Sequence, residues 1–357
     1  MRVLATGGAG YIGSHAVLRL LAAGHDVVVL DNFSRGHPEA VRTAERAAHQ
    51  RSPAPGRLTL AEGDIADRPK VERLLIAHEI ETVLHFAGLA YVGESVDRPL
   101  DYYRVNTAGT AALLDAIAGV PAVQRFVLSS TSAVYGEPEG VSGALTEDTL
   151  PHPINPYGSS KLMAERIVAD FVAMQRRRAL PFAAACLRYS NVAGCDAGGA
   201  LGEHHDPETH IIPIILECAL GRRPLSRNTF TIFGDDYPNT PDGTCIRDYI
   251  HVDDLVDAHL HVTTALDPAR HDALTYNVGI GQGLSIRAIL ASVKRVTGIT
   301  VPTALGPRRP GDPGLLYADP ARIQRDLGWH ARITDIDAMV ASAYRWFAAH
   351  PAGYVHA

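Results

Sequence analysis

Thr6-Gly7-Gly8-Ala9-Gly10-Tyr11-Ile12-Gly13 is the stretch that decides the reading of this chain. Gly7, Gly10 and Gly13 recur at every third position, after a short apolar run, Val3-Leu4-Ala5. They open a segment with apolar residues at Ile12, Ala16, Val17, Leu20 and Leu21. The first run suits a buried strand; the second has helical spacing, and Gly24 supplies its stop. Glycines here let the backbone turn tightly and approach a diphosphate. The helix start adds unpaired N–H groups and the positive end of its dipole. Alone the pattern also describes an ordinary strand-to-helix turn, so its surroundings matter. The next run, Val27-Val28-Val29-Leu30, ends at Asp31. A carboxylate there accepts hydrogen bonds from both ribose hydroxyls of an adenosine and repels a 2′-phosphate, which predicts NAD rather than NADP. A helix cap or a solvated strand end is the blander account of Asp31. Arg35, nearby, is the residue that would suit a 2′-phosphate. Asp64-Ile65, ending the third strand, is a candidate adenine contact.

Working outward, Leu58-Thr59-Leu60, Val83-Leu84-His85-Phe86 and Phe126-Val127-Leu128 repeat the short apolar run bounded by polar or small residues. Alternating with amphipathic segments, they predict an α/β fold, a doubly wound parallel sheet of Rossmann type. The texture changes after about Pro181. A smaller C-terminal α/β substrate domain is expected over 189–357, following an NAD-binding domain over 1–188 to which the chain returns around 234–278. Two long irregular stretches, Ala193 to His210 and Gly234 to Gly243, are lid candidates. Ala44 to Gly56, with two prolines and few large apolar residues, reads as a solvated loop or frayed helix end. Helices are expected at Ile214 to Leu220, Ser285 to Thr297 and Asp335 to Ala349.

The chain has 357 residues, 46% of them hydrophobic, and a net charge of -6. This gives no reason to expect a nucleic-acid or membrane partner, and an anionic substrate must be held by local groups. Cys186, Cys195, Cys218 and Cys245 are scattered, which fits a reducing compartment and opposes a disulfide framework or a structural zinc. Thr6-Gly7-Gly8 interrupts the apolar N-terminus, so no secretory core or span is expected and cytoplasm is the default. His204-His205 with His210 are the only hint of a metal site. No element fixes them and no carboxylate pattern completes a geometry, so no metal is expected and they read as exposed loop residues.

Asn155-Pro156-Tyr157-Gly158-Ser159-Ser160-Lys161 carries the chemistry. Pro156 suits a first helical residue with Asn155 as its cap, placing Tyr157 and Lys161 one turn apart on one face. A phenol titrates near 10 and is a poor base at neutral pH. An ammonium one turn away, together with a positive nicotinamide ring, favours the phenolate. Tyr157 then takes a proton from a sugar hydroxyl while hydride leaves the same carbon. Ser129 to Gly136 ends the fifth strand, where ligands bind in such sheets, and Thr131 is placed to hydrogen-bond the same oxygen. Taken singly, Tyr157 and Lys161 are equally well described as helix-surface residues.

These features resemble the extended short-chain dehydrogenase/reductase family and, within it, the UDP-sugar 4-epimerases. The resemblance runs over nearly the whole chain. It includes Gly63-Asp64-Ile65, Val92-Gly93-Glu94-Ser95, Arg188-Tyr189, Ile232 to Pro238, Asp242-Gly243-Thr244, Arg247 to Val252 and Pro307-Arg308-Arg309. It implies interconversion of UDP-glucose and UDP-galactose through C4 oxidation, turnover of the 4-keto sugar and re-reduction. Another UDP-sugar, a pentose or uronate, is the runner-up. By position it implies catalytic roles for Tyr157, Lys161 and Thr131. NAD contacts would come from Gly7, Gly10, Tyr11, Ile12, Gly13, Asp31, Asn32, Asp64, Ile65, Phe86, Ala87, Gly88, Asn106, Ser129, Tyr157 and Lys161. The UDP-sugar would meet Thr131, Asn191, His210, Ile211, Phe233, Arg247, Arg309, Asp312 and Leu316. Ala90 and Ser190 depart from a lysine and an aromatic seen in some relatives. Leu316 stands where a tyrosine restricts some relatives to plain hexoses, and its intermediate size implies additional use of N-acetylhexosamines. A homodimer paired through helices Pro99 to Val120 and Tyr157 to Phe171 is implied as well. Acid chemistry of the dehydratase or decarboxylase kind lacks a donor, since Ser132-Ala133 follow Thr131.

Overall fold

A computed structural model describes residues 1–138, 143–223, 228–309 and 311–354. The first strands are β1 (Arg2–Thr6), β2 (Asp26–Asp31), β3 (Leu58–Glu62), β4 (Thr82–His85), β5 (Arg125–Ser129) and β6 (Ala183–Arg188). Their apolar residues alternate between two layers. Val3, Ala5, Val27, Val29, Ala183 and Ala185 pack into one cluster, and Leu4, Val28, Leu30, Phe126, Leu128 and Ala184 into the other. A strand buried on both faces must sit inside a helix-sandwiched parallel sheet. That is the arrangement found. The chain later returns through helix Val252–Ala265 to strand Ala273–Asn277, which pairs in parallel with β6. The order across the sheet is Ala273–Asn277, β6, β5, β4, β1, β2, β3. It reverses between β1 and β4, and ligands in such sheets sit beyond the strand ends at that crevice.

A second lobe has its own apolar core, including Ile212, Leu216, Ile289, Val293, Met339, Val340 and Trp346. These residues come from helices Ile211–Ala219, Ile286–Thr297 and Ile336–Ala349. The last two are capped at Ser285 and Asp335, whose side chains accept from Ala288 N and Asp337 N. Three small sheets complete the lobe. Strand Ile246–Arg247 lies between Leu284–Ser285 and Leu315–Leu316, Phe230–Phe233 pairs with Thr303–Gly306, and Asn191–Ala193 pairs with Tyr249–His251. All four cysteines are free and buried. Among the described residues no helix is long and apolar enough to cross a membrane.

Two expectations need correction. Ala44 to Arg51 is not a loop but the second half of helix Pro38–Arg51, with Ala40, Val41, Ala44, Ala47 and Ala48 buried. The stripe has helical spacing, but small residues that allow close approach to the first helix carry no strong hydrophobic signal. The stretch Ala193 to His210 is irregular yet pinned rather than free as a lid. Arg51 makes two hydrogen bonds to Asp196 at 2.7 and 2.5 Å. His15 Nε2 accepts from Asp196 N at 3.1 Å, and Tyr354 Oη accepts from Gly202 N at 2.9 Å. This strap ties the first two helices to the second lobe.

Candidate active site

The glycine stretch links β1 to helix Tyr11–Ala22, with Gly10 at the N-cap. Gly7 has φ +69°, and a Cβ there would lie 2.4 Å from Ala87 N, backbone against backbone. A Cβ on Gly13 would meet Gly7 O at 2.2 Å. The strand ends therefore approach as closely as glycine permits, and the turn leaves the helix N-terminus uncovered for a diphosphate. Asp31 Oδ2 accepts from Ala9 N at 2.9 Å and Oδ1 from Phe33 N at 2.9 Å. Burial raises its carboxyl above the usual range while these two backbone bonds pull it down. Each oxygen keeps a lone pair for a ribose hydroxyl. Asn32 Nδ2 donates to Asp64 Oδ2 at 2.9 Å, joining the ends of β2 and β3 beside it. Arg35, the residue that would favour a 2′-phosphate, is instead paired with Glu94 at 2.6 Å and stacked over Tyr91 at 4.8 Å. The residues fit NAD: the cradle is one that any side chain would fill, and among the described residues no arginine is hydrogen-bonded to or paired with the carboxylate at its rim.

The second half of the site lies at the end of β5. Asn155 caps helix Pro156–Arg177, its Oδ1 accepting from Gly158 N at 2.8 Å, with Pro156 in the first turn. Tyr157 and Lys161 are thereby one turn apart. Thr131, whose Oγ1 accepts from Ala133 N at 3.1 Å, lies against the Tyr157 phenol. Lys161 Nζ donates to Ser129 O at 2.9 Å, and Gly88 and Asn106 close in beside it. Asn106 sits in a π-helical turn, Tyr103–Ala108, where its Nδ2 donates to Leu89 O and Ser160 Oγ, both at 3.0 Å.

The electrostatics differ from expectation in one respect. Burial raises the Tyr157 phenol above its ordinary value, and only the bond with Thr131 pulls it back. Lys161 is itself pushed down to about 8 by burial, with Glu165 acting the other way. A desolvated ammonium held by a backbone carbonyl does not outweigh the desolvation of the phenol. The chain's own groups therefore do not favour the phenolate, and the positive charge of a bound nicotinamide ring would act in its favour.

Arg247, Arg309, Asp312 and Phe233 converge in the second lobe. Arg247 Nη2 donates to Pro313 O at 2.6 Å and to the Asp312 carboxylate. Arg309 lies 3.7 Å from the same carboxylate, with its guanidinium 4.5 Å above the Phe233 ring. Leu316 registers with Arg247 across the small sheet and is buried with Val134, Tyr135 and Leu145, directly behind the turn that follows Thr131. Asn191 opens the strand paired with Tyr249–His251. Asn155 Nδ2 donates to Gly311 O at 3.1 Å and joins this group to the catalytic helix. Ser190 has its Oγ buried without a hydrogen-bond partner, and Ala90 is exposed.

Two features escaped the reading of the sequence. Glu165, one turn beyond Lys161, forms a buried pair with Arg188 at 3.0 and 2.6 Å and accepts from Ser130. Helical spacing from Lys161 was the available signal. The histidines are not merely exposed loop residues either: Glu203, His205, Glu208 and His210 come together, with their ligand atoms all within 4.8 Å of one another. His210 also precedes Ile211, the first residue of helix Ile211–Ala219.

Comparison with known proteins gives four findings. Residues 3–279 match the model of the NAD dependent epimerase/dehydratase family. The chain is 42% identical over 356 residues to a UDP-glucose 4-epimerase of Halalkalibacterium halodurans, covering 99% of this chain and 98% of that one. The UDP-glucose 4-epimerase of Brucella ovis, solved in complex with NAD, is 43% identical with a TM-score of 0.85, covering 97% and 98% of the two chains. A UDP-glucose-4-epimerase of Stenotrophomonas maltophila, solved with NAD and formylated UDP-arabinopyranose, is 38% identical with a TM-score of 0.88, covering 98% and 99%.

Proposed function

The chain belongs to the NAD dependent epimerase/dehydratase family, and from that premise we propose that it interconverts UDP-glucose and UDP-galactose at C4. NAD, held by the glycine cradle and Asp31, would supply the redox chemistry as an acceptor and donor of hydride at C4, so that the sugar is neither oxidised nor reduced overall. Tyr157 Oη holds and returns the proton of the C4 hydroxyl, and Thr131 steadies both oxygens. Lys161, anchored on Ser129 O, keeps a positive charge behind the reacting groups. Glu165, paired with Arg188, limits how far burial pulls that lysine down. Arg247 and Arg309 grip the diphosphate that a chain of net charge -6 would otherwise repel, with Asn191 supporting the sugar nucleotide, Phe233 against the uracil, and His210 contributing through the backbone at the start of helix Ile211–Ala219.

The observation that carries this reading is the pairing of Tyr157 and Lys161 with Thr131 at the strand end facing the glycine cradle. The test is to incubate the purified protein with UDP-galactose and no added nicotinamide. UDP-glucose should form, and its absence from protein that retains NAD overturns the reading.

A second reading, a UDP-pentose 4-epimerase, is favoured by the arabinopyranose nucleotide in the Stenotrophomonas maltophila relative. UDP-arabinose in a parallel incubation decides its weight. Leu316, smaller than tyrosine, supports additional turnover of N-acetylhexosamine nucleotides. We place the NAD-binding domain at 1–188 with the later return to its sheet, and the UDP-sugar domain at the remainder of 189–357. We also take the protein to be a cytoplasmic homodimer. Its unpaired cysteines and the exposed Val96, Leu100 and Met163 on the helices flanking the site support this.

A further inference from the structure

The strap between the two lobes contains the sequence Glu203-x-His205-x-x-Glu208-x-His210. These four side chains converge, and their arrangement is that of metal ligands rather than of surface charge. The Glu203 and Glu208 carboxylates are 4% and 5% exposed, and such groups are rarely buried without a counter-charge. His210 Nδ1 lies 3.0 Å from Glu203 Oε1 and is hydrogen-bonded to Glu208 Oε1 at 3.1 Å. His205 Nδ1 lies 3.3 Å from Glu203 Oε1 and 3.5 Å from Glu208 Oε2. Four ligands at about 2.0–2.2 Å from one tetrahedral ion would be separated by about 3.3–3.6 Å. The four carboxylate–imidazole separations of 3.0 to 3.5 Å fall near that figure, and with one ligand atom per residue the whole set lies within 4.8 Å, so small side-chain movements would close it around an ion.

A second observation concerns His205. Its buried Nδ1 stands 3.3 and 3.5 Å from two carboxylates without well-aligned hydrogen-bond geometry to either. A ring nitrogen aimed among carboxylates without a donor–acceptor line to either oxygen is placed for a shared partner. The surroundings also suit ligation. Glu208 Oε1 accepts from Thr209 N at 2.8 Å and His210 N at 2.7 Å, which fixes that carboxylate and leaves Oε2 toward His205. Tyr11 and Tyr91 stack edge-on against the His205 ring at 6.3 and 5.9 Å and hold its orientation. A cavity of about 230 Å³ lined by Glu203, His205 and Glu208 gives an ion a way in.

We propose that Glu203, His205, Glu208 and His210 bind one divalent transition-metal ion of the zinc class, which staples the strap to the start of helix Ile211–Ala219. Once both imidazoles give up their protons to an incoming ion, two carboxylates leave a charge of about -2, which one divalent ion cancels. Imidazole nitrogen selects zinc-like ions over magnesium or calcium. The site lies in the strap outside the Tyr157 centre, so it is a structural site and takes no part in the hydrogen transfer.

The holoenzyme is dialysed against EDTA and titrated with Co²⁺. One ion per chain should bind, giving the visible bands of four-coordinate Co²⁺, and Zn²⁺ should displace it. Zn²⁺ in excess should also raise the unfolding temperature of the dialysed protein. His205→Ala should weaken Co²⁺ binding by at least about 100-fold. Glu203→Gln, which preserves shape, should do the same and serves if His205→Ala does not fold. Absence of Co²⁺ bands, six-coordinate spectra only, or affinity unchanged in the folded variant would each overturn the proposal.

Discussion

Lys161→Met should make the nucleotide-free protein more stable while removing its activity. Lys161 is 5% exposed, and burial takes its ammonium from an ordinary 10.5 to about 8. At about 1.4 kcal/mol per pH unit, that difference is about 3 kcal/mol of penalty for keeping the charge in the fold. Methionine fills similar space without the charge but gives up the bond to Ser129 O, worth about 1 kcal/mol. A net gain of about 2 kcal/mol at pH 7 follows. Because the folded value is depressed, the penalty is complete below pH 8, where folded and unfolded chains both hold the proton. Between about 8 and 10.5 the folded chain loses it first and the penalty fades; above 10.5 it is gone. Urea unfolding of both proteins at pH 7 and pH 10 reads this directly. The gap should shrink and then reverse sign as pH rises. A variant less stable at pH 7, or a gap indifferent to pH, refutes the reasoning.

Tyr157→Phe should cut turnover by about 10²- to 10⁴-fold while NAD stays bound, measured by product formation and by the nucleotide released on denaturation. Thr131→Val removes the group that pulls the phenol down, so the acid limb of the kcat/KM profile should move to higher pH. An unmoved limb would exclude Tyr157 as the titrating base. Gly7→Ala, with φ +69° and a backbone neighbour 2.4 Å from the added carbon, should cost at least about 2 kcal/mol and lose NAD on gel filtration. Leu316→Ala should destabilise by about 2–4 kcal/mol, given its burial with Val134 and Tyr135, and raise the ratio of UDP-N-acetylgalactosamine to UDP-galactose turnover.

Strong local patterns were legible in the sequence. The β1 and β2 strands, Gly24 as a helix stop, Asn155 and Pro156 as a helix start, and Asp31 at a strand end are each set by neighbouring residues, and the structure has them where the patterns place them. What was not legible depends on partners distant in the chain. The alanines of helix Pro38–Arg51 become a packing stripe only when another helix lies on them. Glu203 and Glu208 gain meaning only when the strap folds both histidines onto them, so their spacing alone showed no carboxylate pattern that completes a ligand set. The Tyr157 phenol followed the same course. Spacing correctly set Lys161 one turn away, but burial is a property of the whole fold, and it outweighed the expected pull of the lysine.

Asn155 spends both ends of one amide. Its oxygen holds the first turn of the helix that bears Tyr157, and its nitrogen holds the Gly311 carbonyl in the loop between Arg309 and Asp312. With the roles proposed above, nucleotide capture and proton abstraction would both hang from a single planar group too stiff to stretch. Any shift of that loop by an ångström either drags the reactive phenol along or uncouples the two, so a half-gripped sugar meets a base that is out of line.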